Sequence, residues 1–254
     1  MSVTAEGAEP RRAGRELVLE VVFRPLANAL VPLFERANVA PPGVVLANAT
    51  AGLLAALVLY GGHLVAAAVL LQLKTLLDNA DGALARATGQ VTLTGRYLDT
   101  IADLVVNAAV FAALGSVTGQ PVLALAAFLA LTLALTVDFN VTLLYRESQG
   151  IATVEPRSSG SGVERTLALL YRATFGVLDR GVRWVSKRRF GERPAYDGFA
   201  VSTLANLGLT TQLAVLGICL VLGVPSLYLW LALGCLLVLG ALHARAELRV
   251  RSAA

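Results

Sequence analysis

The sequence predicts an all-α membrane protein with six transmembrane helices and an additional interfacial amphipathic helix at the N-terminus. Hydrophobic residues make up 56% of the 254 residues and charged residues only 15%, whereas a soluble domain is usually about 25% charged. The apolar stretches are continuous and about 20 residues long, as helical spans require. Lipid offers no partners to backbone polar groups, so these stretches are expected to cross the membrane as helices.

The predicted elements follow in chain order. Residues 1–42 form a cytoplasmic N-terminus whose stretch 16–36 suits a helix lying in the membrane interface. Proline is tolerated in a first helical turn, so Pro41 and Pro42 suit the start of the first span. A transmembrane domain covers 43–245, and 246–254 form a cytoplasmic tail. The spans are predicted at these positions: 43–60, 63–86, 94–117, 121–145, 199–222 and 226–244.

The positions of the basic residues support an even number of spans. The short linkers 61–62, 118–120 and 223–225 contain no Lys or Arg. All of the 21 Lys and Arg residues except Lys74 lie in the N-terminal region, near the turn 87–93, in the connection 146–198 or at the C-terminus. If there are six spans, these four regions lie on one side of the membrane and the three short linkers lie on the other. Because cytoplasmic loops carry the positive excess, both termini are expected in the cytoplasm.

The connection 146–198 is long for a loop and is predicted to have structure of its own. Its stretch 158–162 is typical of a flexible segment. Residues 163–190 mix apolar side chains with arginines, which indicates a basic amphipathic helix on an anionic membrane surface. A role in substrate binding is the alternative for this helix.

Four aspartates in the predicted spans form the candidate site. Asp78 and Asp81 share one face of the second span, and Asp99 and Asp103 share one face of the third, because residues three or four apart face the same side. The turn between these spans centres near Gln90, nine residues from both Asp81 and Asp99. In an antiparallel pair of helices the four carboxylates therefore converge near the cytoplasmic surface.

Clustered carboxylates repel one another and stay ionised together only with cations between them. Oxygen ligands suit hard ions such as Mg²⁺, Mn²⁺ or Ca²⁺. Two divalent ions balance four carboxylates, an arrangement that suits phosphoryl chemistry. The structural alternative is a set of interhelical hydrogen bonds or salt bridges.

Residues 78–103 resemble the signature of the CDP-alcohol phosphotransferase family. Its eight defining positions are present at the family spacing: Asp78, Asp81, Gly82, Ala85, Arg86, Gly95, Asp99 and Asp103. The resemblance implies a phospholipid-synthesis enzyme that transfers a phospho-alcohol group, typically phosphatidyl, from a CDP-alcohol such as CDP-diacylglycerol. The acceptor is the hydroxyl of a polar alcohol, and CMP is released.

The resemblance also implies roles for individual residues. It implies that two Mg²⁺ or Mn²⁺ ions are held by four ligands: Asp78, Asp81, Asp99 and Asp103. Asp103 is in addition the implied general base. The implied donor-binding residues are these four: Gly82, Ala85, Arg86 and Gly95. Close helix packing is the alternative explanation for the small residues among them.

The first span departs from the family pattern. Many members open it with Pro-Asn-x-x-Thr, whereas this chain has Pro42-Gly-Val-Val-Leu46 and lacks both polar residues. Asn48 is the candidate to replace one of them.

Three further polar residues are predicted to contact the acceptor: Lys74, Asp138 and Arg146. Lys74 lies one turn before Asp78, and it either binds a phosphate of the acceptor or pairs with Asp138. Asp138 and Arg146 lie on one stripe of the fourth span, which either lines an acceptor pocket or makes interhelical hydrogen bonds. A buried ammonium requires an anionic partner, which favours a phosphorylated acceptor such as inositol phosphate or glycerol phosphate.

The resemblance implies a homodimer in a bacterial or archaeal plasma membrane, with membrane lipids as partners and the site on the cytoplasmic side. No nucleic acid partner is expected. Two rival functions use the same aspartates, an intramembrane prenyltransferase and a cation transporter. Neither rival explains the glycine and arginine positions of the signature.

Overall fold

A computed structural model describes residues 14–151, 155–190 and 196–252. Nine α-helices and one π-helical turn make up its regular structure within these ranges. The first five helices follow the π-helical turn Leu19–Phe23: α1 Arg24–Arg36, α2 Pro41–Tyr60, α3 Leu64–Ala87, α4 Leu93–Thr118 and α5 Pro121–Ser148. The remaining four are α6 Gly162–Phe190, α7 Gly198–Ala205, α8 Leu209–Val221 and α9 Pro225–Ser252. The all-α prediction is confirmed.

Several helix ends follow from local sequence. Pro41 and Pro121 stand in the first turns of α2 and α5, where the missing proline N–H costs no hydrogen bond. The Thr92 hydroxyl accepts a hydrogen bond from the Gly95 N–H at 3.1 Å and caps α4. Gly119 ends α4 in the left-handed conformation at φ +66°. The first span was predicted at 43–60 with both prolines at its start, and the helix begins at Pro41.

Among the described residues, four helices are long and apolar enough to cross a membrane: α2, α4, α5 and α9. The pair α7 and α8 makes a fifth if the two are one broken span, bent by 43°. The second predicted span, α3, has sufficient length but carries Lys74, Asp78, Asp81 and Arg86. By length and composition the structure therefore supports four or five spans, whereas the sequence predicts six.

The fifth predicted span, 199–222, is broken between Ala205 and Leu209. The Asn206 side chain donates to the Arg15 carbonyl at 2.6 Å and accepts from the Leu17 N–H at 3.0 Å. These bonds tie the N-terminal segment to the break. A Cβ added to Gly208 would lie 2.8 Å from the Ala205 carbonyl oxygen, so the bend requires glycine. A continuous apolar pattern does not reveal such a break.

The apolar core fills one end of the bundle. The second halves of α2 and α4 contribute to it, together with the first halves of α3, α5 and α9 and with most of α8. The buried leucines of this cluster are Leu59, Leu71, Leu114, Leu131, Leu213, Leu216, Leu220 and Leu229. The helices α2, α3, α4 and α5 therefore run in alternating directions. Van der Waals packing of such side chains joins helices in lipid, where the hydrophobic effect between them is small.

The opposite end of the bundle contains the polar residues of the candidate site. A smaller cluster of Val141, Val201, Leu204 and Leu242 packs there between α5, α7 and α9. The N-terminal helix α1 packs against α3, and the π-turn before it exposes Val21. The helix predicted at 16–36 is present, and α9 continues beyond the predicted end at 244 to Ser252.

Candidate active site

Helix α2 brings α3 and α4 together, because it is the main packing partner of both. A Cβ added to Gly52 would overlap the Val106 side chain of α4, so glycine permits this close approach. One turn earlier, Asn48 is fully buried and donates from Nδ2 to Asp78 Oδ1 at 2.8 Å. Asn48 thus supplies a polar contact from the first span, as the sequence suggested.

Lys74 lies at the centre of the aspartate cluster. Its ammonium donates to Asp78 Oδ1 at 3.0 Å and to Asp103 Oδ1 at 2.6 Å, and the side chain is fully buried. The alternative that pairs Lys74 with Asp138 is wrong, because α3 turns Lys74 towards Asp103 of α4. A direct contact between Lys74 and an acceptor is not supported by this geometry, since the charge already has two partners inside the protein.

Three of the four aspartates converge as predicted. One carboxylate oxygen from each of Asp78, Asp99 and Asp103 lies within 4.8 Å of the others. Asp81 lies one turn after Asp78 and is buried, whereas the other three aspartates are half-buried. In the described part of the chain, Asp81 Oδ2 and Asp99 Oδ1 are buried without a hydrogen-bond partner. Unpaired carboxylate oxygens in such a cluster fit the ligand set of a hard divalent cation.

A cavity of about 750 Å³ opens beside this cluster. The signature residues that line it are Asp81, Gly82, Ala85, Arg86, Gly95 and Asp99. Asp78, Asp103 and Lys74 do not line this cavity, but Asp99, which does, has a carboxylate oxygen within 4.8 Å of one from each of Asp78 and Asp103. A volume of this size suits a ligand such as a nucleotide.

The signature glycines face the cavity and not a neighbouring helix. A Cβ added to Gly82 would lie 3.2 Å from an Arg86 guanidinium nitrogen, and one added to Gly95 would lie 3.2 Å from the Thr92 hydroxyl. Both nearest atoms belong to the glycine's own helix or its cap. Close helix packing therefore does not explain these two glycines, and access to the cavity does.

The polar stripe on α5 also faces the cavity. Asp138, Thr142 and Arg146 all line it, and the Thr142 hydroxyl donates to Asp138 at 3.5 Å. Arg146 Nε is buried and has no hydrogen-bond partner among the described residues. An unsatisfied guanidinium donor at a cavity wall is suited to an anionic ligand.

Two arginines at the cavity were not identified from the sequence, Arg24 and Arg96. Arg96 directly follows Gly95, so its position within the signature segment could have identified it as a residue of the site. Its guanidinium carbon lies 5.1 Å from the centre of the Phe139 ring, a cation–π contact that directs it across the cavity towards α5. Arg24 reaches the cavity because α1 packs on α3. No sequence pattern predicts that packing.

The segment 155–161 lies over the turn between α3 and α4. Arg157 exchanges backbone hydrogen bonds with Val91 and Leu93 at 2.9 Å each, and Glu155 contributes to the cavity wall. The stretch 158–162 was predicted to be flexible. In the structure Ser158 and Ser159 instead bind the carboxylate of Glu164 in α6.

Glu164 accepts four hydrogen bonds. The donors are the Ser158 hydroxyl at 2.5 Å, the Ser159 N–H at 2.7 Å, the Ser159 hydroxyl at 2.8 Å and the Thr94 hydroxyl at 3.2 Å. The bond from Ser158, followed by those from Ser159, lowers the pKa of this carboxyl from 4.5 to about 2. Glu164 thus connects the segment over the cavity to the start of α4.

Acid should release this segment. A carboxyl whose pKa is lowered by folding stabilises the folded state above its unfolded value, and that contribution is lost as the pH falls from 4.5 towards 2. We expect hydrogen exchange at residues 157–161, corrected for its intrinsic pH dependence, to rise over this range. In Glu164→Gln the exchange should already be faster at neutral pH and change little with acid. Equal protection of both proteins at neutral pH would contradict the role of Glu164.

A family model and two known proteins are similar to this chain. A family model described as CDP-alcohol phosphatidyltransferase matches residues 38–239. A phosphatidylinositol phosphate synthase of Mycobacteroides abscessus is 39% identical over 94 residues, which cover 37% of this chain and 41% of that protein. An uncharacterized protein of Aquifex aeolicus is 32% identical over 167 residues, which cover 65% of this chain and 83% of that protein. No solved structure gives a significant match.

Proposed function

The chain belongs to the CDP-alcohol phosphatidyltransferase family, and from this premise we propose that it transfers a phosphatidyl group from CDP-diacylglycerol to a phosphorylated polar alcohol. The family makes it a transferase of substituted phosphate groups, which selects against the prenyltransferase and the transporter. The observation that carries the proposal is the convergence of Asp78, Asp99 and Asp103 within 4.8 Å beside a cavity lined by the rest of the signature.

The donor is proposed to bind with its cytidine against Gly82, Ala85 and Gly95, where side chains leave space along α3 and α4. Arg86 lies beside Gly82 and can donate to a phosphate oxygen. We assign Asp78, Asp81, Asp99 and Asp103 as ligands of two Mg²⁺ or Mn²⁺ ions. When bound, such ions neutralise the diphosphate and the charge that develops on the leaving CMP.

Asp103 is proposed to accept the proton of the acceptor hydroxyl. Lys74 donates to Oδ1 of this carboxylate, which fixes its orientation for accepting a proton. The acceptor oxygen then bonds to the phosphorus that carries the diacylglycerol, and the bond from this phosphorus to CMP breaks. The products are a phosphatidyl alcohol and CMP.

A phosphorylated acceptor is now supported by Arg146 and not by Lys74. Arg146 lines the cavity and has an unsatisfied buried donor, and Asp138, two turns earlier on the same stripe of α5, can accept from acceptor hydroxyls. The name of the Mycobacteroides abscessus relative, a phosphatidylinositol phosphate synthase, is in line with such an acceptor. We therefore propose an acceptor of the inositol phosphate or glycerol phosphate type.

An acceptor panel tests this assignment. Arg146→Gln should raise the KM for the phosphorylated acceptor about 10- to 100-fold, because a hydrogen bond to a charged group contributes about 1.5–3 kcal/mol, and should leave the donor KM nearly unchanged. Arg36→Gln removes an exposed arginine away from the cavity and is the matched control. Product identities are read by mass spectrometry. A preference for serine, or an equal rise in both KM values, would overturn the assignment of Arg146.

The same function requires a defined topology. We propose six crossings, with α3 as the second and α7 with α8 as the fifth, and α1 lying in the interface. The alternating direction of the helices supports this arrangement. In α3 the charged residues Lys74, Asp78 and Asp81 face the protein interior, so they do not exclude a crossing. The cytoplasmic orientation of the site and a homodimer remain part of the proposal.

A further inference from the structure

Helix α6 crosses the polar end of the bundle at one depth. Its first turn meets the first turn of α4 through Glu164 and Thr94. Its middle meets α5 at Asn140, and its end meets the last turns of α9, where Arg189 pairs with Glu247 at 3.2 Å. All three contacts lie towards the helix ends at the polar end of the bundle. A 29-residue helix, about 43 Å long, therefore runs across the spans and not parallel to them.

A buried polar network holds α6 against α5. Asn140 is buried and donates to Asp179 Oδ1 at 2.7 Å, while its carbonyl oxygen accepts from Arg183 Nε at 3.1 Å. The Tyr171 hydroxyl donates to the other Asp179 oxygen at 2.8 Å. The Tyr171 ring also lies 5.3 Å from that of Tyr97 in α4. These bonds fix the rotation of α6 and so decide which face points outward.

The outward face of α6 carries an apolar stripe and a basic edge. Four exposed apolar residues recur every seven positions: Val163, Leu170, Val177 and Trp184. The exposed basic residues of the helix are Arg165, Arg172, Arg180, Arg183, Lys187, Arg188 and Arg189. The acidic residues of α6, Glu164 and Asp179, are both engaged in internal hydrogen bonds. The exposed charge of this helix is therefore entirely positive.

We propose that the outward face of α6 binds anionic phospholipid headgroups, with the apolar stripe entering the boundary between headgroups and acyl chains. A helix that lies across the ends of the spans has the orientation this requires. Arg172 and Arg180 have no acidic partner in the described ranges and are free to meet lipid phosphates. Trp184, with the Arg188 guanidinium 5.0 Å from its ring centre, is suited to the interface.

A second copy of the chain is the competing occupant of the stripe. Two α6 helices packed along it would bring their arginine-lined edges together, and like charges at close range are unfavourable. Anionic lipid instead supplies the opposite charge along the whole helix. The proposal concerns a lipid surface and does not depend on the reaction at the aspartates.

Fluorescence of Trp184 tests the proposal. The chain has two tryptophans, so Trp230→Phe leaves Trp184 as the reporter. The full-length protein is placed in lipid nanodiscs of phosphatidylcholine, with or without phosphatidylglycerol, with bromine on the acyl chains as a quencher. We expect strong quenching in the discs that contain phosphatidylglycerol. Adding Arg172→Gln and Arg180→Gln should weaken docking about 30-fold at low salt, since each basic residue near an anionic surface contributes about 1 kcal/mol.

The matched control removes two positive charges elsewhere, through Arg36→Gln and Arg251→Gln, and should keep the quenching of the reporter protein. Quenching that is equal with and without phosphatidylglycerol, or unchanged by the α6 substitutions, would overturn the anionic headgroups as the ligand. Absence of quenching, together with disulfide-linked dimers of Val177→Cys, would assign the stripe to a second copy and overturn the proposal.

Discussion

Lys74→Met is expected to lower the free energy of unfolding by about 3–5 kcal/mol, the largest stability loss of any single change considered. The ammonium is fully buried and lies between Asp78 and Asp103 at 3.0 and 2.6 Å. Without it the two carboxylates face each other with no cation of the protein between them. Lys187→Met is the matched control, because Lys187 is exposed, and should change stability by less than about 0.5 kcal/mol.

The measurement is unfolding in detergent micelles without divalent metal. The double variant Lys74→Met with Asp103→Asn removes one of the facing charges, and it should be more stable than Lys74→Met alone. If the stability lost in Lys74→Met came only from lost packing volume, the second substitution would not restore it. A higher stability of the double variant therefore identifies charge pairing as the cause. Equal stability of Lys74→Met and the parent protein would show that the buried pair is not needed for folding.

Asp103→Asn is expected to reduce turnover about 10²- to 10⁴-fold, the usual contribution of a general base, while nucleotide binding is largely retained. The amide keeps the size of the side chain but cannot accept the proton. Lys74 retains Asp78 as its partner in this variant, so folding should survive. Near-normal turnover of Asp103→Asn would remove it as the base.

Asp81→Asn provides the contrast within the same cluster. Its Oδ2 is buried and has no hydrogen-bond partner in the described ranges, as expected of a metal ligand. This variant should lose metal-dependent donor binding and turnover together. Titration calorimetry with a CDP-donor analogue, paired with single-turnover assays, distinguishes the two outcomes. Donor binding that survives Asp81→Asn but fails in Asp103→Asn would reverse the two roles.

Much of the site was predictable because its residues are close in the sequence. The spacing within 78–86 and 95–103 fixes which side chains share a helix face, and a short turn fixes the relative depth of the two helices. The convergence of Asp78, Asp99 and Asp103 follows from these two facts.

Other features depend on how separate helices are rotated against one another, which periodicity does not specify. The partners of Lys74 are an example. Helix α3 packs against α2 and α4, so Lys74 contacts Asp103 of α4 and Asp78 contacts Asn48 of α2, while Asp138 lines the cavity. The bend at Gly208 is accompanied by bonds between Asn206 and residues 189 and 191 positions away. The docking of α6 through Asn140 likewise joins residues that are distant in sequence, since Asp179 lies 39 positions further along the chain.

Release of CMP from CDP-diacylglycerol by the purified protein in lipid vesicles is the most direct test of the central claim. With Mg²⁺ or Mn²⁺ and a phosphorylated alcohol, CMP and a phosphatidyl product should form in equal amounts. Excess chelator should stop both, because the clustered aspartates can bind the donor diphosphate only with cations between them, and added metal should restore both. Full activity in excess chelator, or no CMP with any acceptor in the presence of either metal, would contradict a metal-dependent phosphatidyl transfer at these aspartates.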